Sequence, residues 1–225
     1  MDTTELDNPF WSSLRSRHRA LAQCVGDVAR YPLEVAPFLG VASADADTAE
    51  AMQALVELDE TVYLIGVAPR VPDGWVFEAY RPLAQMICTA SIPLIDGPEV
   101  IELSTAHRAD VLALTALVYP HYFRPRTMEM GRYFGIYLDG RLAAMIGERL
   151  GMEAFQEISA VCTHPDFNGR GYARRLIALL SNYNLERGRT PFLQVSYANP
   201  RARQLYEQMG YEHRPDIGFW SLRRA

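Results

Sequence analysis

Two glycines in the segment Asn168-Gly169-Arg170-Gly171-Tyr172-Ala173 stand between a predicted buried strand and a predicted helix. Glycine lets backbone N–H groups approach a ligand closely, and a helix N-terminus offers unpaired N–H groups with a partial positive charge. This combination favours binding of a pyrophosphate. An ordinary strand-to-helix turn would use the same residues. A dinucleotide-binding loop would need a third glycine at Arg174, and a P-loop would need a lysine, which the chain lacks.

A second segment with chemical potential runs from Asn199 to Tyr211. Asn199 is a predicted N-cap and Pro200 suits the first helical position. The following helix would bring four side chains near one face: Ala202, Leu205, Tyr206 and Met209. By its identity alone, Tyr206 is more often a core residue than a catalyst.

Together the two segments resemble the GNAT superfamily of N-acetyltransferases, over about residues 99–224. The family's loop is Arg/Gln-x-x-Gly-x-Gly/Ala; the chain matches it at Gly171 and Ala173 and departs at Asn168. The stretch from Val161 to Pro165 resembles the end of the family's fourth strand. The later family motif, Asn-x-x-Ala-x-x-Leu-Tyr-x-x-x-Gly-aromatic, is matched at Asn199, Ala202, Leu205, Tyr206, Gly210 and Tyr211.

The resemblance implies an α/β (α+β) GNAT fold, a mixed central sheet with splayed fourth and fifth strands, flanked by helices. The whole chain also resembles the glycine N-acyltransferase-like subgroup. That finer resemblance implies an atypical, CoA-free, GNAT-like N-terminal domain at residues 1–96 and the GNAT domain at 97–225. The segment from Ile92 to Pro98, with two prolines and a glycine, marks the predicted boundary.

The resemblance further implies acetyl-CoA as co-substrate and no metal. CoA would lie where the strands predicted at 155–163 and 192–197 splay apart. The implied cofactor-binding residues are Val161, Cys162 and Thr163 for the pantetheine arm, Asn168, Gly169, Arg170, Gly171, Tyr172, Ala173 and Arg174 for the pyrophosphate, and Asn199 and Tyr206 near the arm. A backbone N–H of the strand would polarise the thioester carbonyl.

Tyr206 is the candidate general acid, because its phenol could protonate the departing thiolate. Glu157 is the candidate base: histone-acetylating relatives carry a glutamate at a matching place. A period of two puts Glu157, Ser159, Val161 and Thr163 on one face, and burial would suit the carboxylate for proton removal, directly or through water. A solvated strand glutamate is the equally weighted alternative, and His164 or a backbone-bound water are rival bases.

Cys162 lies within an apolar strand and has no evident partner base, which favours an inert thiol over a nucleophile. Direct attack of the amine in a ternary complex is therefore expected.

Hydrophobic periodicity predicts the elements that must position these residues. Predicted helices cover 8–30, 47–58, 107–118 and 170–187, with short helical turns at 127–131. Predicted strands cover 61–67, 75–80, 100–103, 211–213 and 217–222, and 133–138 and 142–149 form a hairpin around Asp139-Gly140. The stretch 81–89 is ambiguous.

Composition sets broader limits. A net charge of −5 argues against a nucleic-acid partner. The basic residues are all arginine, which excludes Schiff-base chemistry. Three scattered cysteines favour neither a disulfide scaffold nor zinc and suit a cytoplasmic location. No signal peptide and no membrane-spanning run is recognised.

The leading interpretation is an N-acetyltransferase acting on a small-molecule primary amine. The alternatives are an acyltransferase for an amino acid or a protein N-terminus, and a non-catalytic acyl-CoA-binding module. The acceptor would be shaped by residues 118–133 and the 139–140 turn, with arginines such as Arg124 and Arg126 available for a carboxylate. The oligomeric state is open, with a homodimer among the alternatives.

Overall fold

The computed structural model describes residues 2–225 as a set of short helices around three antiparallel or mixed sheets. The helices are α1 (Pro9–Arg15), α2 (Ala49–Leu55), α3 (Arg108–Val118), α4 (Tyr172–Leu185) and α5 (Pro200–Gln208). Short 3₁₀ segments lie at Thr4–Asp7, Arg19–Leu21, Thr105–His107, Thr127–Met130 and Pro165–Phe167.

The strands are β1 (Gln23–Val25), β2 (Val28–Arg30), β3 (Leu39–Val41), β4 (Thr61–Ile65), β5 (Trp75–Ala79), β6 (Ala84–Ile87), β7 (Ile101–Leu103), β8 (Tyr133–Leu138), β9 (Arg141–Gly151), β10 (Phe155–Thr163), β11 (Thr190–Val195), β12 (Glu212–His213) and β13 (Phe219–Arg224). The central sheet has seven strands in the order β12-β6-β11-β10-β9-β8-β7. Its one parallel pair is β10 with β11. The two three-stranded sheets are ordered β1-β2-β3 and β4-β13-β5.

The central sheet is covered on both faces. On one face α4 packs through Leu176, Ile177 and Leu180 against Ile146 and Ile158. On the other face α3 packs through Val111 and Leu114 against Met145 and Cys162. This layered arrangement buries the middle of β9 and most of β10. The predicted fold, a mixed sheet flanked by helices with two splayed strands, is confirmed.

The first predicted helix was too long. α1 ends at Arg15, and residues 23–30 form the hairpin of β1 and β2 around Gly26, whose φ is +52°. The apolar residues at 21–30 satisfy a strand pattern as well as a helical one. The Asp139-Gly140 hairpin is confirmed, because both turn residues have positive φ values, 51° and 72°.

The division of the chain at residue 96 stays a prediction, and strand pairing crosses that position twice. β6 lies in the central sheet between β11 and β12. β13 pairs with both β4 and β5. The two halves therefore share hydrogen-bonded sheets.

Candidate active site

A gap opens in the central sheet between β10 and β11. The two strands pair only from Phe155 opposite Thr190 to Glu157 opposite Phe192, although β10 continues to Thr163 and β11 to Val195. Beyond Glu157 the strands diverge, so backbone groups of β10 on that side have no neighbouring strand. This is the splay that was predicted between these two strands.

A β-bulge lies on β10 beside the gap. The pairing of β10 with β9 shifts between Ser159 and Cys162, and Ala160 has a φ of +49°. Ile158 and Val161 pack on the α4 side, whereas Ala160 and Cys162 pack on the α3 side. The prediction that Glu157 and Val161 share one face was therefore wrong, because the extra residue breaks the period of two.

A cleft of about 730 Å³ lies at the gap, between the N-termini of α4 and α5. Its wall includes Arg170, Arg174 and Arg201, and no aspartate or glutamate lines it. Every predicted cofactor-binding residue except Cys162 lines this cleft, namely Val161, Thr163, Asn168, Gly169, Arg170, Gly171, Tyr172, Ala173, Arg174, Asn199 and Tyr206. The cleft is thus basic and suited to a polyanion.

The loop before α4 has the backbone that its glycines predicted. Gly169 and Gly171 have φ values of +77° and +80°, and a Cβ on either would meet nothing within 4 Å. Conformation rather than space therefore favours glycine at both positions. The Arg175 N–H makes the first helical hydrogen bond, to Gly171 O at 3.1 Å. The N–H groups before it are the unpaired donors of a helix N-terminus.

The three charged or polar side chains of the loop lie at its surface. Asn168 and Arg170 are exposed, and Arg170 stacks 5.2 Å from the Phe167 ring centroid. Arg174 is hydrogen-bonded to Gln208 of α5. This contact connects the first turn of α4 to the last turn of α5 across the cleft.

Helix α5 begins as predicted. The Asn199 side chain accepts a hydrogen bond from Ala202 N at 3.1 Å, with Pro200 in the first turn. Tyr206 is partly buried against the α4-side core. Burial raises the pKa of the Tyr206 phenol, and the nearby Cys162 and Tyr119 raise it further. The Tyr206 hydroxyl makes no hydrogen bond to any residue in 2–225, so it is free to donate.

Glu157 lies on the other side of the sheet and is fully buried. Its carboxylate accepts two hydrogen bonds from Arg149, Nε to Oε2 and Nη2 to Oε1, both at 2.6 Å. Burial would lower the pKa of Arg149, but Glu157 and Tyr119 outweigh burial and raise it. Glu157 lines neither this cleft nor the second cavity described below.

The second cavity, of about 480 Å³, lies on the Arg149 side of the gap. It is lined by Phe10, Phe38, Ile65, Tyr80, Arg81, Leu83, Tyr119, His121, Tyr122, Arg149, Gln194, Ser196 and Phe219. Tyr119 lines this cavity, whereas Leu117 and Val118 line the basic cleft, so the end of α3 lies between the two.

Of the region 118–133 that was predicted to shape an acceptor site, Tyr119, His121 and Tyr122 line the second cavity. Arg126 is exposed and paired with Glu129 at 2.8 Å, and neither Arg124 nor the 139–140 turn lines the second cavity.

Cys162 is 1% exposed, and burial raises the pKa of its thiol to about 12. This environment suits the inert thiol that was expected.

Three residues that line the cavities were not identified from the sequence: Arg149, Gln194 and Arg201. Arg149 ends a predicted strand of a hairpin and would pass for a surface residue there. Gln194 alternates with apolar neighbours in a strand, which also indicates solvent. Arg201 follows the Asn199-Pro200 cap. Its place in the first turn of α5 was the one sequence feature that could have identified it as a cleft residue.

Among residues 2–225, no helix has the length and apolar composition that crossing a bilayer requires. The same residues contain no cluster of three or more His, Cys, Asp or Glu side chains placed to hold a metal ion.

Comparison with known proteins gives three kinds of result. A family model described as FR47-like protein matches residues 133–221. A solved structure from Novosphingobium aromaticivorans, assigned to the GNAT family of acetyltransferases, is 31% identical over 99% of this chain and 100% of its own, with a TM-score of 0.87. None of the curated proteins matches.

Two more distant structures share the fold. A GCN5-related N-acetyltransferase from Kribbella flavida is 16% identical, with 93% of this chain and 91% of its own covered and a TM-score of 0.58. A GNAT-family acetyltransferase from Colwellia psychrerythraea is 10% identical, with 100% of this chain and 98% of its own covered and a TM-score of 0.55.

Proposed function

Because this chain belongs to the GNAT family of acetyltransferases, we propose that it transfers the acetyl group of acetyl-CoA to a primary amine by direct attack in a ternary complex. The observation that carries this proposal is the basic cleft. It is lined by three arginines and no carboxylate, and it joins a helix N-terminus to a gap in the central sheet. A long polyanion with a thioester at one end fits both features.

The diphosphate of CoA would bind at the first turn of α4. The N–H groups of residues 169–174 supply main-chain donors, and Arg170, Arg174 and Arg201 supply positive charge. The pantetheine arm would extend along β10 past Val161 and Thr163, whose side chains line the cleft. Asn199 serves as a helix cap and can still hydrogen-bond the arm with its amide nitrogen, because only its oxygen is used.

The thioester carbonyl would be polarised by a β10 amide. His164 N donates to Ala143 O of the preceding β9 region at 2.9 Å. Since alternate N–H groups of a strand point to opposite neighbours, that of Thr163, next to His164 and beyond the bulge, points away from β9 and into the gap. A donor held there stabilises the oxyanion that forms when the amine attacks.

Tyr206 would act as the general acid. Its raised pKa keeps the phenol protonated at neutral pH, and its hydroxyl is unpaired among the described residues. The amine nitrogen forms a bond to the acetyl carbon, the carbon–sulfur bond breaks, and the thiolate takes the phenolic proton. Solvent then restores that proton to Tyr206.

Removal of the amine's proton falls to a water in this proposal. Both oxygens of Glu157 accept hydrogen bonds from Arg149, and Glu157 itself lines neither cavity. Glu157 therefore acts at a distance, by fixing the position of Arg149. His164 is a weaker candidate, because its ring already contacts Arg141 and Asp166.

The test is an assay of thiol release from acetyl-CoA against a panel of primary amines, with the acetylated product identified by mass spectrometry. Turnover with at least one amine supports the proposal. Acetyl-CoA binding without turnover on any amine would favour a non-catalytic module instead. Membership of the glycine N-acyltransferase-like subgroup and a cytoplasmic location stay predictions, as does a homodimer.

A further inference from the structure

We propose that the second cavity is the acceptor site and that its acceptor is a primary amine with an aromatic body and a carboxylate, as in an aromatic amino acid. This inference rests on the proposed function, since it names the substrate class of the same reaction. Four features of the cavity support it: its aromatic wall, its charge, an unpaired buried amide, and its position at the gap.

The wall of the second cavity is a set of aromatic rings that already contact one another. Phe10 stacks on Phe38 with centroids 4.4 Å apart, and Phe38 lies 6.2 Å from Tyr122. Tyr122 in turn meets Phe219 edge to face at 6.3 Å, and Phe219 lies 5.2 Å from Tyr80. A preformed aromatic wall of this kind binds a flat apolar group with little reorganisation.

The charge of the wall selects against cationic acceptors. No aspartate or glutamate lines the cavity, while Arg81, Arg149 and His121 do. Arg149 is neutralised by Glu157. Arg81 is exposed and forms none of the ion pairs found among residues 2–225; its guanidinium lies 4.6 Å from the Tyr197 ring centroid. Arg81 is near enough to Asp216 to help lower the pKa of that carboxyl, but it forms no direct ion pair with it, so a carboxylate on the acceptor would give Arg81 a direct partner.

Gln194 provides a separate indication of a polar ligand atom. Its Nε2 is buried and has no acceptor among the described residues, while its Oε1 accepts from Arg149 at 3.3 Å. A buried donor without an acceptor is unfavourable for folding, because its lost hydration is not replaced. An oxygen of the bound acceptor would satisfy it.

The cavity reaches the place where the reaction must occur. Tyr119 lines it, and the preceding residues Leu117 and Val118 line the basic cleft, so the two cavities adjoin at the end of α3. An amine in the cavity would therefore approach the thioester from the side opposite CoA. Burial in the largely aromatic cavity disfavours an ammonium ion and so favours the neutral, nucleophilic amine.

The inference also gives the N-terminal part of the chain a function. Phe10, Phe38, Ile65 and Tyr80 all precede residue 96 and form one wall of the cavity. The sequence resemblance assigned no ligand to this part. In the structure it supplies the apolar half of the acceptor site.

The experiment uses four probes: L-phenylalanine, 2-phenylethylamine, glycine and spermidine. Each is titrated calorimetrically into the full chain without CoA, and each is assayed for acetylation. Arg81→Gln is compared with Arg70→Gln, an exposed arginine that lines neither cavity. We expect L-phenylalanine to bind the parent protein, and Arg81→Gln to weaken that binding by about tenfold. Arg81→Gln should leave the affinity for 2-phenylethylamine unchanged, because that amine has no carboxylate. Arg70→Gln should leave the affinity for both compounds unchanged.

Higher kcat/KM for spermidine or glycine than for both aromatic amines would overturn the inference and leave the acetyltransferase proposal standing. Unchanged L-phenylalanine binding in Arg81→Gln would also overturn it. If the protein fails to bind acetyl-CoA, the proposed function fails, and the CoA-free titrations still decide which ligand the cavity takes.

Discussion

Arg149 and Glu157 form a buried bidentate ion pair with both nitrogen–oxygen distances at 2.6 Å, and Glu157 is the last residue of β10 that pairs with β11. The arginine lines the second cavity and also contacts Tyr119 and Gln194. The pair therefore holds the wall of the second cavity at the point where the sheet begins to open.

Glu157→Gln is expected to lower the free energy of unfolding by about 3 kcal/mol, because it leaves a buried guanidinium without its counter-charge. The measurement is chemical denaturation. Glu102→Gln is the matched control, because Glu102 forms a similar bidentate pair with Arg132 at the surface, where the two side chains are 50% and 34% exposed. It should lower the free energy of unfolding by less than about 1 kcal/mol. Equal losses in the two variants would contradict this account.

The pH dependence of the same variant addresses proton removal. If a water takes the proton, folded Glu157→Gln protein keeps the acidic limb of the pH–rate profile of kcat, at a lower maximum. Loss of that limb would make Glu157 the base itself.

Tyr206→Phe is expected to lower kcat by about 10²-fold and leave the Kd of acetyl-CoA unchanged, because it removes the proton donor but keeps the ring. Steady-state kinetics measures kcat, and calorimetry measures the Kd of acetyl-CoA. Tyr137→Phe is the control, since its hydroxyl bonds Asp110 away from the cleft. An unaltered kcat in Tyr206→Phe would remove the acid role.

Gly171→Ala and Gly188→Ala make a matched pair at the two ends of α4. Their φ values are +80° and +70°, and neither Cβ would meet an atom within 4 Å. Both should therefore destabilise the fold by about 1 kcal/mol. Only Gly171→Ala should weaken acetyl-CoA binding, because only that backbone lines the cleft. Equal CoA affinity in the two variants would show that the loop conformation is irrelevant to binding.

A buried histidine that lines neither cavity should control stability at mildly acid pH. His18 Nδ1 lies 3.1 Å from Ser13 Oγ and 2.8 Å from Tyr31 Oη, and burial lowers the pKa of His18 to about 4. Between pH 6.5 and 4 the unfolded chain binds the proton and the folded chain does not, so stability falls as pH falls through that window, by about 3 kcal/mol at most.

Thermal unfolding between pH 7 and 4 measures this effect. His18→Asn, which keeps a polar atom near Nδ1, should be less stable at pH 7 and show a flatter pH profile. A profile as steep as that of the parent protein would assign the acid sensitivity to other groups.

The order of elements after residue 100 could be predicted from the sequence, because each strand or helix there has its own periodicity and its own stop. Gly171 and Asn199 carry local signals that do not depend on tertiary contacts. The bulge at Ala160 has no such signal, since alanine rarely adopts a φ of +49°. Because of the one extra residue there, Val161 lies on the opposite face of the sheet from Glu157, although the two were predicted to share a face.

The second cavity was beyond sequence reasoning for a different reason. Its wall comes from α1, β4, β11, β13 and the end of α3, which are brought together only by the pairing of β13 with β4 and of β6 with β11. The Arg149–Glu157 pair depends on the register of β9 and β10, which the bulges shift. Pairing across such distances leaves no local pattern.

The most direct test of the account is two-dimensional amide NMR of the ¹⁵N-labelled protein titrated with CoA. The account predicts that the N–H signals of residues 169–174 shift and become protected from hydrogen exchange, while that of Gly188 at the far end of α4 does not. Saturating CoA that leaves the 169–174 amides unshifted and unprotected would contradict the assignment of the basic cleft as the CoA site.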